Sequence, residues 1–149
     1  MPSYKVHIPA GFITFILLYI IQQKLGVAPN TFQNVAAILL SSTVGSIFPD
    51  IDTTSIMQRL FFLSILVIAP VFIFQNNYLM LAITAAVCII ILIIPHRSIT
   101  HKPKWVIPFA ALVCGALALI KHIDSMLLWQ CWLYFIAAFL SHWLLDRYF

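Results

Sequence analysis

A 149-residue chain that is 63% hydrophobic and 8% charged, with a mean hydropathy of +1.05, has too few polar side chains to cover itself toward water, which excludes a soluble globular domain. Eight Lys and Arg against four acidic residues, all of them Asp, leave a net charge of +4. Set in short loops between apolar runs, these charges read as determinants of membrane orientation and not as a nucleic-acid surface.

In chain order, Lys5 followed by the apolar run from Ile8 to Ile21 has the outline of a signal peptide, with Gly26-Val27-Ala28 as a weak cleavage site. Pro29 directly after it opposes cleavage, so the run is read as a first membrane helix near 8–23. Further apolar runs predict helices near 31–48, 56–75, 78–94, 105–120 and 126–145. Asn30 or Thr31, Thr53 or Thr54, and Asp124 or Ser125 are the expected N-caps of three of them. The shortest runs fall below the roughly 20 residues that a bilayer core demands, and would cross it only with local thinning or snorkelling flanks. Cys88, Cys114 and Cys131 lie inside apolar runs without a CxxC spacing and read as small buried residues. The expected fold is therefore an all-α polytopic bundle of about six short transmembrane helices, a single integral membrane domain over residues 1–149.

Six alternating crossings put the N-terminus, 49–55, 95–104 and the C-terminus on one side. That side collects Lys5, Arg59, Arg97, Lys102, Lys104 and Arg147, leaving Lys24 and Lys121 opposite. The positive-inside rule makes it cytoplasmic, with both termini inside. The same parity gathers His7, Asp50, Asp52, His96, His101, His142 and Asp146 there, seven of the nine Asp and His residues. His122 and Asp124, on the other side, read as loop and capping residues.

Ionisable groups at a membrane boundary need a partner or water, and mixed imidazole and carboxylate donors suit a divalent transition metal. Seven ligands are enough for two ions. His142 and Asp146, four apart, share one face of the last helix. Asp50 and Asp52 follow Pro49 where the chain leaves a helix, so both carboxylates can face one cavity. His96 and His101 bracket a short loop with Arg97, and His7 stands close before Pro9 at the mouth of the first helix. Each piece alone has a plain structural reading: an Asx turn or cap for the two Asp, a surface ion pair for His142 and Asp146, an interfacial histidine for His7, and topology charges for Arg59, Arg97, Lys102 and Lys104. Their convergence at one surface favours a metal site.

Phe48-Pro49-Asp50-Ile51-Asp52 with Ser55 and Arg59, then His96-Arg97-Ser98-Ile99-Thr100-His101, then Ser141-His142-Trp143-Leu144-Leu145-Asp146, with His7 upstream, resemble the PDID, HRGxTH and SHxxxD elements of the YdjM-like membrane-bound metal-dependent hydrolases. Ser98 stands where that family usually has Gly, and Lys102 where a Ser is common. The resemblance implies a bacterial inner-membrane protein with His7, Asp50, Asp52, His96, His101, His142 and Asp146 as metal ligands, and Arg59 and Arg97 nearby. The implied metal is zinc, with manganese or magnesium as alternatives, in a two-ion site. A more distant similarity to zinc-dependent phospholipase C implies a lipid or lipid-linked phosphoester as substrate. The catalytic set is then Asp50, Asp52, Arg97 and Arg59. Two rival readings are a metal-ion transporter lined by these residues, and a non-enzymatic membrane subunit with a structural metal site.

Overall fold

The computed structural model describes residues 4–52, 56–76, 78–93, 100–119 and 124–148, and every regular element among them is helical. Six α-helices follow in order: α1 (Tyr4–Lys24), α2 (Phe32–Ile47), α3 (Ile56–Phe74), α4 (Tyr78–Ile93), α5 (Pro103–Ala118) and α6 (Ser125–Tyr148), with a 3-10 turn at Phe48–Asp52 after α2. The six expected helices are all present, and the differences are at their ends. Helix α1 begins at Tyr4, which brings His7 into its first turn. Pro9 is tolerated so close to the start because the carbonyl it leaves without a donor, that of Lys5, is near the helix end. Helix α5 begins at Pro103, whose missing N–H costs nothing at the first helical position. Helix α6 runs to Tyr148, so Asp146 is helical.

Two of the predicted caps are observed. Thr31 accepts a hydrogen bond from the Asn34 N–H at 3.3 Å, and the Asp124 carboxylate accepts one from the Met126 N–H at 2.9 Å. Thr53, Thr54 and His122 lie outside the described residues.

Three segments are long and apolar enough to cross a membrane: Val6–Lys24, Phe32–Ile51 and Ser125–Tyr148. Helices α4 and α5 have 16 residues each, which gives about 24 Å of length against a hydrocarbon core of roughly 30 Å. Large apolar side chains point outward along the helices, among them Leu17, Leu66, Val67, Phe109 and Leu112, as expected where lipid is the solvent.

Helices α1, α2 and α6 form the core, with α2 and α6 the most extensive pair. Helix α5 leans on α6, while α3 and α4 pair with each other and meet the core at the 3-10 turn. Lipid tails are as apolar as Leu, so close backbone approach and hydrogen bonds hold such helices together. Both are present. A Cβ at Gly45 would overlap the Phe135 carbonyl of α6, and one at Gly11 would overlap the Ser46 side chain of α2. The buried Ser42 hydroxyl donates to the Gly11 carbonyl at 3.0 Å.

Phe15, Ile38 and Tyr134 fill the middle of the three-helix core. Toward the α1–α2 loop the Tyr134 hydroxyl donates to Gln22 Oε1 at 3.0 Å, and Gln130 Nε2 donates to the Val27 carbonyl at 2.8 Å. These bonds tie the end of α1 and the α1–α2 loop to α6. Tyr134→Phe is expected to lower stability by about 0.6–1.7 kcal/mol, the range of interhelical hydrogen bonds in membranes, measured as a shift of the unfolding midpoint in detergent.

Candidate metal centre

The buried positions of the core helices form stripes at helical spacing: His7, Gly11 and Phe15 on α1; Ile38, Ser42, Gly45 and Ser46 on α2; Gln130, Tyr134, Ala138 and His142 on α6. His7 begins the α1 stripe and His142 ends the α6 stripe. Helix α1 leaves this end of the bundle, α2 arrives at it, α5 leaves it and α6 returns to it. Parity therefore brings the start of α1, the turn after α2, the turn before α5 and the end of α6 to one place.

The side chains meet there. The His7 and His142 rings stack with centroids 3.7 Å apart and planes 15° from parallel. His7 Nε2 lies 3.3 Å from Asp146 Oδ1, and His142 Nε2 lies 3.4 Å from Asp146 Oδ2 and 3.8 Å from Asp50 Oδ1. His101 Nδ1 is 3.9 Å from Asp146 Oδ2. His7 and His142 are 1% and 0% exposed, against 12% for Asp146, 14% for His101 and 25% for Asp50, so the cluster opens past Asp50 and His101. Two three-residue groups, His7, Asp50 and His142, and His101, His142 and Asp146, each have ligand atoms within 4.8 Å of one another.

The donor chemistry tests whether a cation fits. His142 Nδ1 is 2.6 Å from the Ser46 carbonyl. A carbonyl only accepts, so Nδ1 carries the proton and a neutral ring has its lone pair on Nε2. That atom is buried, makes no hydrogen bond and faces two carboxylates. A buried lone pair held against carboxylates is unfavourable until a positive charge stands between them. Ligand atoms about 2.0–2.1 Å from a tetrahedral zinc ion lie about 3.3–3.4 Å from each other, the separation found at His7–Asp146 and His142–Asp146. The residues fit a divalent cation. His142 belongs to both groups, yet one imidazole nitrogen offers one lone pair, so it serves one ion at a time.

Five of the seven predicted ligands thus converge: His7, Asp50, His101, His142 and Asp146. The side chain of Asp52, whose backbone closes the 3-10 turn, lies outside the described residues, as do His96 and Arg97. Arg59 is exposed in the first turns of α3, outside both groups. Lys102 and Lys104 begin α5 and Arg147 ends α6, all exposed, with Lys104 and Arg147 lying over the rings of Trp105 and Trp143. The cysteines are on α4, α5 and α6, and none belongs to either group, so the donors are nitrogen and oxygen.

The Ser46 carbonyl escapes a search for ionisable residues. Its trace in the sequence is the small-residue spacing of Ser42, Gly45 and Ser46 in an otherwise apolar helix, which marks a close interface.

A family model described as YdjM inner membrane protein matches residues 1–148. The chain belongs to the YdjM inner membrane protein family. The match extends over α1 to α6, and so includes every helix that contributes to the His/Asp cluster. The family description and the three long apolar segments together assign the chain to an inner membrane, in contact with the lipid bilayer. No curated protein and no solved structure matches the chain.

Proposed function

We propose that the chain is a membrane-embedded, metal-dependent hydrolase acting on a lipid or lipid-linked phosphoester at the cytoplasmic surface. The observation that carries this reading is His142 Nε2, buried and without a hydrogen bond, facing Asp146 and Asp50 in a cluster drawn from four separate segments. Nitrogen and oxygen donors without thiolate suit zinc or manganese. A second ion would draw on Asp52 and His96 for its remaining ligands.

A divalent cation held here would supply Lewis acidity, making water acidic near neutral pH and polarising a phosphoryl oxygen. The chain's own groups complete the site. Ser46 fixes the His142 ring, and Asp146 holds an oxygen toward His7 and the other toward His142 and His101. Asp50, the most open of the five, is suited to take the proton of an attacking water. Arg97, Arg59 and Lys102 are the cations available for the non-reacting phosphate oxygens, the arginines bidentately. His142 lies six residues from the end of α6, about 9 Å along its axis, so the cluster sits near headgroup depth, where a lipid can reach it by diffusion within the leaflet.

A transport pathway would need ionisable groups along the bundle. Away from the cluster, the core is filled by Phe15, Ile38 and Tyr134, and the buried Gln22 and Gln130 are engaged in hydrogen bonds. This favours a surface site. Purified protein is expected to retain zinc or manganese by elemental analysis and, with metal restored, to cleave a phosphoester from a broad lipid panel. Asp146→Asn should lose metal and activity together. Turnover that persists in metal-depleted protein, or a panel left intact by the loaded protein, would overturn the reading.

A further inference from the structure

The 2.6 Å contact between His142 Nδ1 and the Ser46 carbonyl sets which nitrogen of His142 is left to bind a ligand. Ser46 and His142 are both 0% exposed, so water does not compete for that bond. The backbone of α2 does. A carbonyl near the end of a helix is normally taken by an N–H four residues on, or by one three residues on where the last turn tightens to 3-10 geometry. Helix α2 ends at Ile47 and passes directly into the 3-10 turn Phe48–Asp52, which is the second situation. The residue three after Ser46 is Pro49, and proline has no N–H. Pro49 is itself fully buried at the junction.

We infer that Pro49 is a positioning residue for His142: by withholding the 3-10 donor, it leaves a lone pair of the Ser46 carbonyl for the imidazole. The carbonyl holds the ring as the Nδ1–H tautomer, with Nε2 directed at Asp146 and Asp50. The same residue launches the turn that carries Asp50, so one proline sets a ring on α6 and a carboxylate after α2 in register. Pro49→Ala supplies an N–H aimed at the Ser46 carbonyl. That N–H competes with the His142 ring for the carbonyl, and the weakened hold lets the ring place a proton on Nε2.

The effect on metal affinity rests on the reading of His142 as a ligand; the tautomer itself does not. The experiment is 15N NMR of histidine-labelled protein in detergent or nanodiscs, with His142→Gln to assign the signal. Metal-free wild type is expected to hold His142 as Nδ1–H, and finding Nε2–H there overturns the inference whatever the variants do. Pro49→Ala should give a mixture of tautomers and bind zinc about 10- to 100-fold more weakly. Replacing residue 49 by lactic acid, which puts an ester with no N–H at that position and removes the ring, should keep both the Nδ1–H tautomer and wild-type affinity. If the alanine and ester variants lose the tautomer alike, or neither loses it, the missing N–H is not the cause. If the tautomer shifts while zinc binding does not, Pro49 orients a ring that is no ligand, and the metal reading fails separately.

Discussion

His142→Ala is expected to strip the protein of bound metal, with content falling by more than about tenfold and hydrolysis lost with it. Among the described residues no other belongs to both groups of converging ligands, and its Nε2 faces Asp146 and Asp50 together. Removing the ring also orphans the Ser46 carbonyl, a buried acceptor whose loss of a partner costs about 1–3 kcal/mol. The cavity left by the ring adds to that cost, and the lost approach of lone pair to carboxylate offsets part of it. Elemental analysis of purified variant and wild type checks the first effect, and thermal unfolding in detergent the second. Imidazole added to the variant should restore part of the metal content by occupying the vacated space. Wild-type metal content in His142→Ala would show that the cluster is not the metal centre.

Gly45→Ala is expected to have the largest effect on assembly. A methyl group there falls inside the Phe135 carbonyl, which is backbone and cannot swing aside. The α2–α6 pair must separate, and overpacking of this kind costs about 1–3 kcal/mol, at times more. Helix α2 leads to Asp50 and α6 carries His142, so separation at Gly45 should also weaken metal binding from one side of the cluster. Gly115→Ala is the control. Nothing lies within 4 Å of the position a Cβ would take at Gly115 in α5, so the change should be neutral or stabilise the helix by up to about 1 kcal/mol. The two midpoints measured in the same detergent should move in opposite directions or differ by several degrees. Equal behaviour would refute close packing of α2 on α6.

The two variants separate routes to one loss. His142→Ala removes a donor and leaves the helices in place, whereas Gly45→Ala keeps every donor and displaces the helices. Metal retained by Gly45→Ala despite a lowered unfolding midpoint would indicate that the cluster is held chiefly by α1 and α6, through His7, His142 and Asp146.

Composition and the order of apolar runs were enough for the helical membrane character and for which residues share one end of the bundle. Apolar runs too long and too numerous for a soluble core require helices in lipid, since no other open structure satisfies its backbone there. Alternation of those runs then places His7, Asp50, His101, His142 and Asp146 at one end, because each crossing reverses direction. The ends of the runs were less legible. A helix in an apolar stretch continues until its backbone groups find other partners, so α1 starts at Tyr4, ahead of the expected residue 8, and α6 runs on past Asp146.

Which atoms face each other was set by helix packing. Whether Asp146 meets His7 or His142, and which nitrogen of His142 is bare, depends on helix rotation and on how closely α2 approaches α6. Those are set by Gly45 against Phe135 and by the Ser46 carbonyl at the seam. Spacing along a chain fixes the face of one helix on which a side chain stands. The distance between two faces is a property of their packing, and a backbone carbonyl, present at every residue, acquires a role only when packing brings a donor to it.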